Sequence, residues 1–301
     1  MKTVCIIVNY NDAATTEALT RRIRDYFSID HVILVDNAST DGSAGILEKL
    51  AGKKVSLIRA GKNGGYGAGN NTGLRYAREV LHADHALIAN PDTEFTEECA
   101  AALSEFLRAN PQFAAAAPVM IRPDASEAAN TPGTRENTLL GAAAFPLRPW
   151  LYDLLEAGPV SRRIFRRLLH YPVSHYRGKR FARVGAVPGS LLMVDIRKVL
   201  SCGGYDEAAF LYGEEYMLGH RLRARGFKTA LLLKESYIHR HSVSISKTYR
   251  ALASRQRLRE KSTLHYYRQY LGVSGAGLLF TRLFFAAVEL ETMLFGERTG
   301  I

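Results

Sequence analysis

The residues best suited to chemistry in this chain of 301 are carboxylates that sit just after apolar runs or at the start of a helical stretch. Asp36 follows Val32-Ile33-Leu34-Val35. There it could accept hydrogen bonds from a ribose or a base, or act as a turn or N-cap aspartate. Asp92 closes Asn90-Pro91-Asp92 after the run Ala86 to Ala89, where Pro91 holds the chain extended. A hard divalent cation takes such oxygen ligands and shares them with substrate phosphates, although one aspartate alone is a thin site. Glu214 and Glu215 open a helical stretch that ends near Gly226. Carboxylates in a first helical turn gain roughly 0.3 to 1 kcal/mol each from the helix dipole, which accounts for them without catalysis. The same location keeps a carboxylate ionised, as a general base requires.

A run of glycines, Gly64, Gly65, Gly67, Gly69 and Gly73, leads into a helix whose N-terminus could receive a phosphate. A dinucleotide fingerprint needs G-x-G-x-x-G directly after the first strand, but that turn reads Asn9-Tyr10-Asn11-Asp12, and no Walker Gly-Lys-Ser/Thr is present. Tight backbone packing is the competing account of these glycines. His239 and His241 lie in Ile238 to Ser244, each a ligand or an ordinary solvated or hydrogen-bonded histidine, and only one of them is expected to point inward. Cys5, Cys99 and Cys202 are odd in number and widely spaced, which indicates neither a disulfide framework nor a zinc site and fits a reducing compartment.

The elements that must position these groups follow from the apolar pattern. Val4 to Val8, Val32 to Val35, Val55 to Ile58 and Ala86 to Ala89 are short continuous apolar runs. They alternate with helical periods over Ala13 to Phe27, Gly42 to Leu50, Gly67 to Leu81 and Glu97 to Ala109. That alternation predicts βαβ units and a doubly wound, mostly parallel α/β sheet covered on both faces. Ligands of such sheets sit beyond the carboxyl ends of the strands, so the polar strand ends, Asn9 to Asp12, Asp36 to Gly42, Gly61 to Gly67 and Asn90 to Asp92, would rim one pocket. Residues 123–182 are more irregular and include Arg162-Arg163-Ile164-Phe165-Arg166-Arg167-Leu168-Leu169, whose arginines share one helix face. From Lys247 onward the pattern is helical.

Composition bounds the function. With 47% hydrophobic and 23% charged residues the chain belongs with folded globular proteins, against disordered or polytopic membrane classes. The run Val4 to Val8 is shorter than the roughly 7 to 15 apolar residues of a signal-peptide core. Leu278 to Phe295 is interrupted by Arg282, Glu289 and Glu291, whereas a spanning helix needs about 20 mostly apolar residues. The net charge of +11 is divided unevenly: residues 1–158 carry −4 and residues 159–301 carry +15. Such asymmetry suggests an anionic partner for the second half, nucleic acid or an acidic membrane surface, or else a solvated basic face.

Taken in order, Val8-Asn-Tyr-Asn11, Val35-Asp-Asn-Ala-Ser-Thr-Asp-Gly42, Asn63-Gly-Gly-Tyr-Gly-Ala-Gly-Asn70, Asn90-Pro-Asp92, Gly189-Ser190, Gly203-Gly-Tyr-Asp-Glu207 and Gly213-Glu-Glu215 resemble the family 2 inverting glycosyltransferases, bacterial rhamnosyltransferases most of all, over about residues 3–245. The resemblance implies a GT-A fold in residues 1–245, with a nucleotide-sugar half (1–122), an acceptor half (123–245) and a C-terminal helical region (246–301). It implies that Asp36 and the segment Val8, Asn9, Tyr10 and Asn11 hold base and ribose, with Asn63, Gly64, Gly67 and Asn70 near the nucleotide. Asn90-Pro91-Asp92 takes the place of the family's Asp-x-Asp. Asn90 therefore lies on the donor side, and Asp92 is the carboxylate facing Mg2+ or Mn2+, with His239 as a further metal ligand. Gly189, Ser190, Asp206 and Glu214 fall on the acceptor side, and Glu215 stands where the family has the aspartate of a Glu-Asp pair, one methylene longer.

By this resemblance Glu215 takes the proton of an acceptor hydroxyl, which attacks the anomeric carbon opposite the nucleotide. The implied donor is dTDP-rhamnose, with UDP-sugars next, and the implied acceptor is a lipid-linked saccharide of surface polysaccharide synthesis. A sugar nucleotidyltransferase would need a Gly-rich basic loop after the first strand, which Asn9 to Asp12 is not. A nucleic-acid-binding protein would leave the ordered acidic and glycine motifs unexplained. A helix from about Gly277 to Gly296 groups Arg282, Glu289, Thr281 and Thr292 on one face and Leu279, Phe280, Leu283, Phe284 and Leu294 around the rest. The catalytic body, a homodimer partner or a membrane headgroup region would cover that apolar surface. A cytoplasmic enzyme held peripherally on the anionic inner face of the membrane is the arrangement expected here.

Overall fold

The computed structural model describes residues 1–121, 178–240 and 252–295, together with Leu154. The arginine-rich segment 162–169, His241 and the side chains of Thr292 and Leu294 lie outside the described residues. The first half is built from β1 (Thr3–Asn9), α1 (Ala13–Ile23), β2 (His31–Asp36), α2 (Ser43–Glu48), β3 (Val55–Arg59), α3 (Tyr66–Glu79), β4 (His85–Ala89), β5 (Thr93–Glu94) and α4 (Glu97–Ala109). β6 (Phe113–Ile121), β7 (Phe181–Val184), β8 (Leu191–Asp195), α5 (Ile196–Ser201), α6 (Glu214–Ala224), β9 (Lys228–His239), α7 (Leu252–Gln269) and α8 (Gly275–Phe295) follow.

The described strands form one sheet in the order β3-β2-β1-β4-β8-β6-β9-β5, with β7 paired to β9. The four strands read from the sequence are parallel neighbours, and their apolar residues feed two cores, one on each face. Side chains alternate across the sheet, so Ile6 and Ile33 enter one core and Ile7 and Leu34 the other. Beyond β4 the sheet becomes mixed, because β8 runs antiparallel between β4 and β6.

Two packing details position the site. Helix α3 lies directly on β1: a β-carbon at Gly69 would fall 2.6 Å from Val8 Cγ1, and one at Gly73 would fall 2.5 Å from Ile6 Cγ2. These glycines therefore serve close helix-strand approach, the competing account raised by the sequence. The two-residue β5 pairs with the end of β9 in the register Thr93 with His239, which brings the turn carrying Asp92 against the last residue of that strand.

The C-terminal helices pack on the body, with Tyr266 and Tyr267 of α7 buried against Met217 of α6 and Ala209. Helix α8 departs from the expected division of faces. Thr281, grouped by the sequence with Arg282, is fully buried and its Oγ1 donates to the Gly277 carbonyl at 2.8 Å. Its hydroxyl is satisfied by its own helix, which lets it join Phe285 and Val288 on the buried side, while Glu289 pairs with Arg257 of α7 at 2.8 Å. The apolar residues turn outward instead: Leu279, Phe280, Leu283 and Leu290 are 59%, 52%, 64% and 59% exposed. Among the described residues no helix is long and apolar enough to cross a membrane.

Candidate active site

At the carboxyl ends of β1 and β2 the polar residues hold one another. Asn9 is fully buried, and its Nδ2 donates to Asp36 Oδ1 at 2.9 Å and to Ser39 Oγ at 3.0 Å, while its Oδ1 accepts from Thr16 Oγ1 at 2.9 Å. Asp36 also accepts the Ser39 N–H at 3.2 Å. Asn11, at φ +53°, exchanges hydrogen bonds with Thr40 and takes Ser39 Oγ on its own N–H at 3.0 Å. Asn37 donates from Nδ2 to Asn63 Oδ1 at 2.9 Å and to the Gly65 carbonyl at 3.0 Å, joining the second strand end to the glycine loop. Val8 and Tyr10 flank Asn9 at this edge and are partly buried. Asn9 and Asp36 thus form a buried polar junction between the ends of β1 and β2.

The glycine loop turns toward the second half. Gly65, at φ +87°, leaves no room for a side chain against the Phe210 carbonyl, which also accepts the Tyr66 N–H at 3.1 Å. Gly67 packs on Tyr205, where an added β-carbon would lie 3.1 Å from Tyr205 Cβ, whereas the crowding at Gly64 is within its own loop, against Ala68. Asn70 is fully buried in the first turns of α3, and the neighbouring Asn71 clasps Tyr205 through both its N–H and its carbonyl.

The peptide of Gly189 and Ser190 is where the two halves meet. The Ser190 carbonyl accepts the Asn90 N–H at 2.8 Å, and Ser190 Oγ bonds Tyr237 Oη at 2.5 Å. Tyr66 Oη donates to the Gly189 carbonyl at 2.6 Å, while the Glu215 side chain lies against the Gly189 backbone, which favours its charged form. Asn90 Oδ1 is buried without a hydrogen-bond partner, and two residues on Asp92 Oδ1 meets His239 Nε2 at 3.1 Å. One short turn therefore links the Asn90–Asp92 loop to the glutamate pair.

Glu214 and Glu215 begin α6 after Tyr212 and Gly213, both in the left-handed region at φ +72° and +80°. Burial raises the pKa of Glu215, opposed by the N–H groups of Glu215 and Gly189. Burial raises that of Glu214 to about 8, with the neighbouring charge of Glu215 adding to the shift. Glu214 Oε1 is enclosed without a hydrogen-bond partner, whereas Glu215 keeps an open edge. A partly buried carboxylate of raised basicity, set against the Gly189 backbone, is suited to take a proton from a hydroxyl.

Asp206 is engaged elsewhere. Burial works against its charge, but hydrogen bonds from Tyr270 Oη at 2.6 Å, His265 Nε2 at 3.0 Å and the Ala208 N–H at 3.0 Å, with Arg221 nearby, hold its pKa below the usual value. It joins α7 to the body. Sequence reasoning missed Asn37, Tyr66 and Tyr237 as site-building residues. Tyr66 had a signal, an aromatic inside a run of glycines, whereas Tyr237 in a late apolar strand had none.

With this geometry in place the chain can be set beside known proteins. Residues 4–165 match the family described as Glycosyl transferase family 2, and the chain belongs to that family. It is 28% identical over 243 residues to the N-acetylglucosaminyl-diphospho-decaprenol L-rhamnosyltransferase of Mycobacterium tuberculosis, covering 77% of this chain and 72% of that one. It is 33% identical over 93 residues to the low-salt glycan biosynthesis hexosyltransferase Agl10 of Haloferax volcanii, a match spanning only 31% of this chain and 28% of that protein. In three dimensions it resembles the mannosyltransferase PcManGT of Pyrobaculum calidifontis in complex with GDP-Man and Mn2+, with TM-score 0.58, 16% identity and coverage of 96% and 69% of the two chains. GalNAc-T7 with UDP, GalNAc and Mn2+ aligns with TM-score 0.54 and 13% identity over 81% of this chain and 44% of its own. The fold is the GT-A fold of these transferases.

Proposed function

We propose that this protein is an inverting glycosyltransferase that moves a sugar, rhamnose from dTDP-rhamnose, onto a lipid-linked saccharide of surface polysaccharide synthesis. The observation that carries the reaction is the Gly189–Ser190 turn, which accepts the Asn90 N–H on one side and packs against the Glu215 carboxylate on the other. Donor phosphates and acceptor hydroxyl would then meet across a single rigid turn. Glu215 takes the acceptor proton, and the hydroxyl oxygen attacks the anomeric carbon as the bond to the nucleotide diphosphate breaks. Tyr10, Asn11 and Asn63 are the partly exposed residues offered to base and ribose, held in place by the buried Asn9–Asp36 hydrogen bond and by that of Asn37 to Asn63. Positioning and electrostatics add to a base contribution of about 10² to 10⁴ in rate.

The residues present fit a divalent cation that borrows most of its ligands from substrate. Among the described residues no three His, Cys, Asp or Glu side chains cluster as a metal site. Asp92 with His239 at 3.1 Å, and the unpartnered Asn90 Oδ1 close by in sequence, offer oxygen and imidazole donors to which diphosphate oxygens would be added. Mg2+ or Mn2+ held by Asp92 and His239 would neutralise charge developing on the diphosphate. Similarity to the mycobacterial rhamnosyltransferase supports rhamnose as the sugar and a lipid-linked acceptor. The exposed leucines of α8, with Arg257, Lys261, Arg268 and Arg282 exposed on the two C-terminal helices, support peripheral binding to an anionic membrane face.

A nucleotide-sugar screen by thermal shift with Mg2+ or Mn2+ present tests the donor. dTDP-rhamnose should protect most; stronger protection by a UDP-sugar than by any dTDP-sugar would overturn that assignment.

A further inference from the structure

The C-terminal helix α7 meets the loop that delivers Glu215 at three successive points. Buried Ser262 donates from Oγ to the Leu211 carbonyl at 2.7 Å, the Arg259 guanidinium lies 5.1 Å from the centre of the Tyr212 ring, and His265 and Tyr270 both bond Asp206. Tyr212 and Gly213, which follow at once, hold positive φ and set the direction in which α6 starts. A non-glycine residue in that region is strained and persists only where its surroundings fix it. The opposite side of the same loop is fixed by the donor-side helix, through the Tyr66 N–H on the Phe210 carbonyl at 3.1 Å and Asn71 on Tyr205.

We infer that Ser262 and Arg259 of α7 are positioning residues for the transfer reaction: they hold the left-handed turn at Tyr212–Gly213 and so keep the Glu215 carboxylate against the Gly189 backbone. This rests on the reading of Glu215 as the base. Helix α7 is then part of the catalytic body. Ser262 has no route to substrate in this role; it acts through the Leu211 carbonyl.

Hydrogen exchange and kinetics of the full chain test the inference together. In Ser262→Ala the amides of residues 211–217 should exchange at least about threefold faster, the change expected from losing one buried hydrogen bond, while those of β1 to β4 stay unchanged. Turnover should fall about three- to tenfold with the donor KM unchanged, and Ser262→Thr should restore both. Arg259→Gln, at an exposed position that does not threaten folding, should reproduce the effect more weakly. Unchanged exchange at residues 211–217 in both variants, or faster exchange with full turnover, overturns the positioning role. If Glu215→Gln retains turnover, the base reading fails instead, and the exchange data still decide whether α7 holds the loop.

Discussion

The carboxylate of Glu215 lies directly against the backbone of Gly189: a β-carbon added there would fall 2.9 Å from Glu215 Oε1 and 3.0 Å from its Cγ. The contact explains why glycine stands at 189. A side chain would push the carboxylate away from this backbone, and since the displaced atoms are the end of a flexible side chain, the fold would survive. Gly189→Ala should therefore lower turnover by about tenfold or more with an unchanged thermal midpoint, since misplacing a reacting group by about 1 Å can cost 10² in rate. Steady-state kinetics beside a melting curve check this, and normal turnover would separate Gly189 from the base.

The glutamate pair gives a pH signature of defined sign. The folded pKa of Glu214 is raised from 4.5 to about 8, so the folded state binds a proton that the unfolded state has released. That contribution to stability is complete below about pH 4.5 and is lost as the pH rises through about 8. Glu214→Gln removes the titration. Relative to wild type, its thermal midpoint should rise between pH 5 and pH 8.5 by at least about 2 °C, the shift produced by about 1 kcal/mol in a chain of this size. A difference that is the same at both values would contradict the assignment.

Much of the fold was legible in the sequence. The alternation of apolar runs and helical periods gave the parallel strands β1 to β4, because strands buried on both faces must be continuously apolar. It could not give the antiparallel insertion of β8 between β4 and β6, since Leu191–Asp195 is equally apolar in either direction. Asp36, Asp92 and Glu215 were visible because each ends or begins an element. Asp206 looked alike in sequence, but its partners His265 and Tyr270 come from a helix some 60 residues later, and no local pattern carries so distant a contact. The outward turn of the leucines of α8 was hidden for the same reason: α8 buries Thr281, Phe285 and Val288, and its pairing with α7, marked by Glu289 on Arg257, joins residues some 30 apart.

Those leucines define a further test. Liposomes containing anionic lipid should sediment the full chain, less so as salt rises. Replacing Leu279, Leu283 and Leu290 together by Ser should abolish binding while leaving turnover of a water-soluble acceptor unchanged, because all three are exposed and none touches the site. Loss of a dimer in that variant, with no liposome binding by wild type, would instead assign the face to self-association.

The most direct test of the account compares Glu215→Gln with Asp92→Asn in donor binding and in single-turnover transfer. Glutamine keeps the size of residue 215 and removes only its ability to take a proton, whereas asparagine at 92 weakens the hold on the diphosphate and its metal. Glu215→Gln should bind dTDP-rhamnose with wild-type affinity and transfer at least about 10² more slowly; Asp92→Asn should lose donor affinity in the presence of Mg2+ or Mn2+ along with turnover. Near-normal transfer by Glu215→Gln would contradict the central claim, and an inactive Glu214→Gln beside an active Glu215→Gln would move the base by one residue.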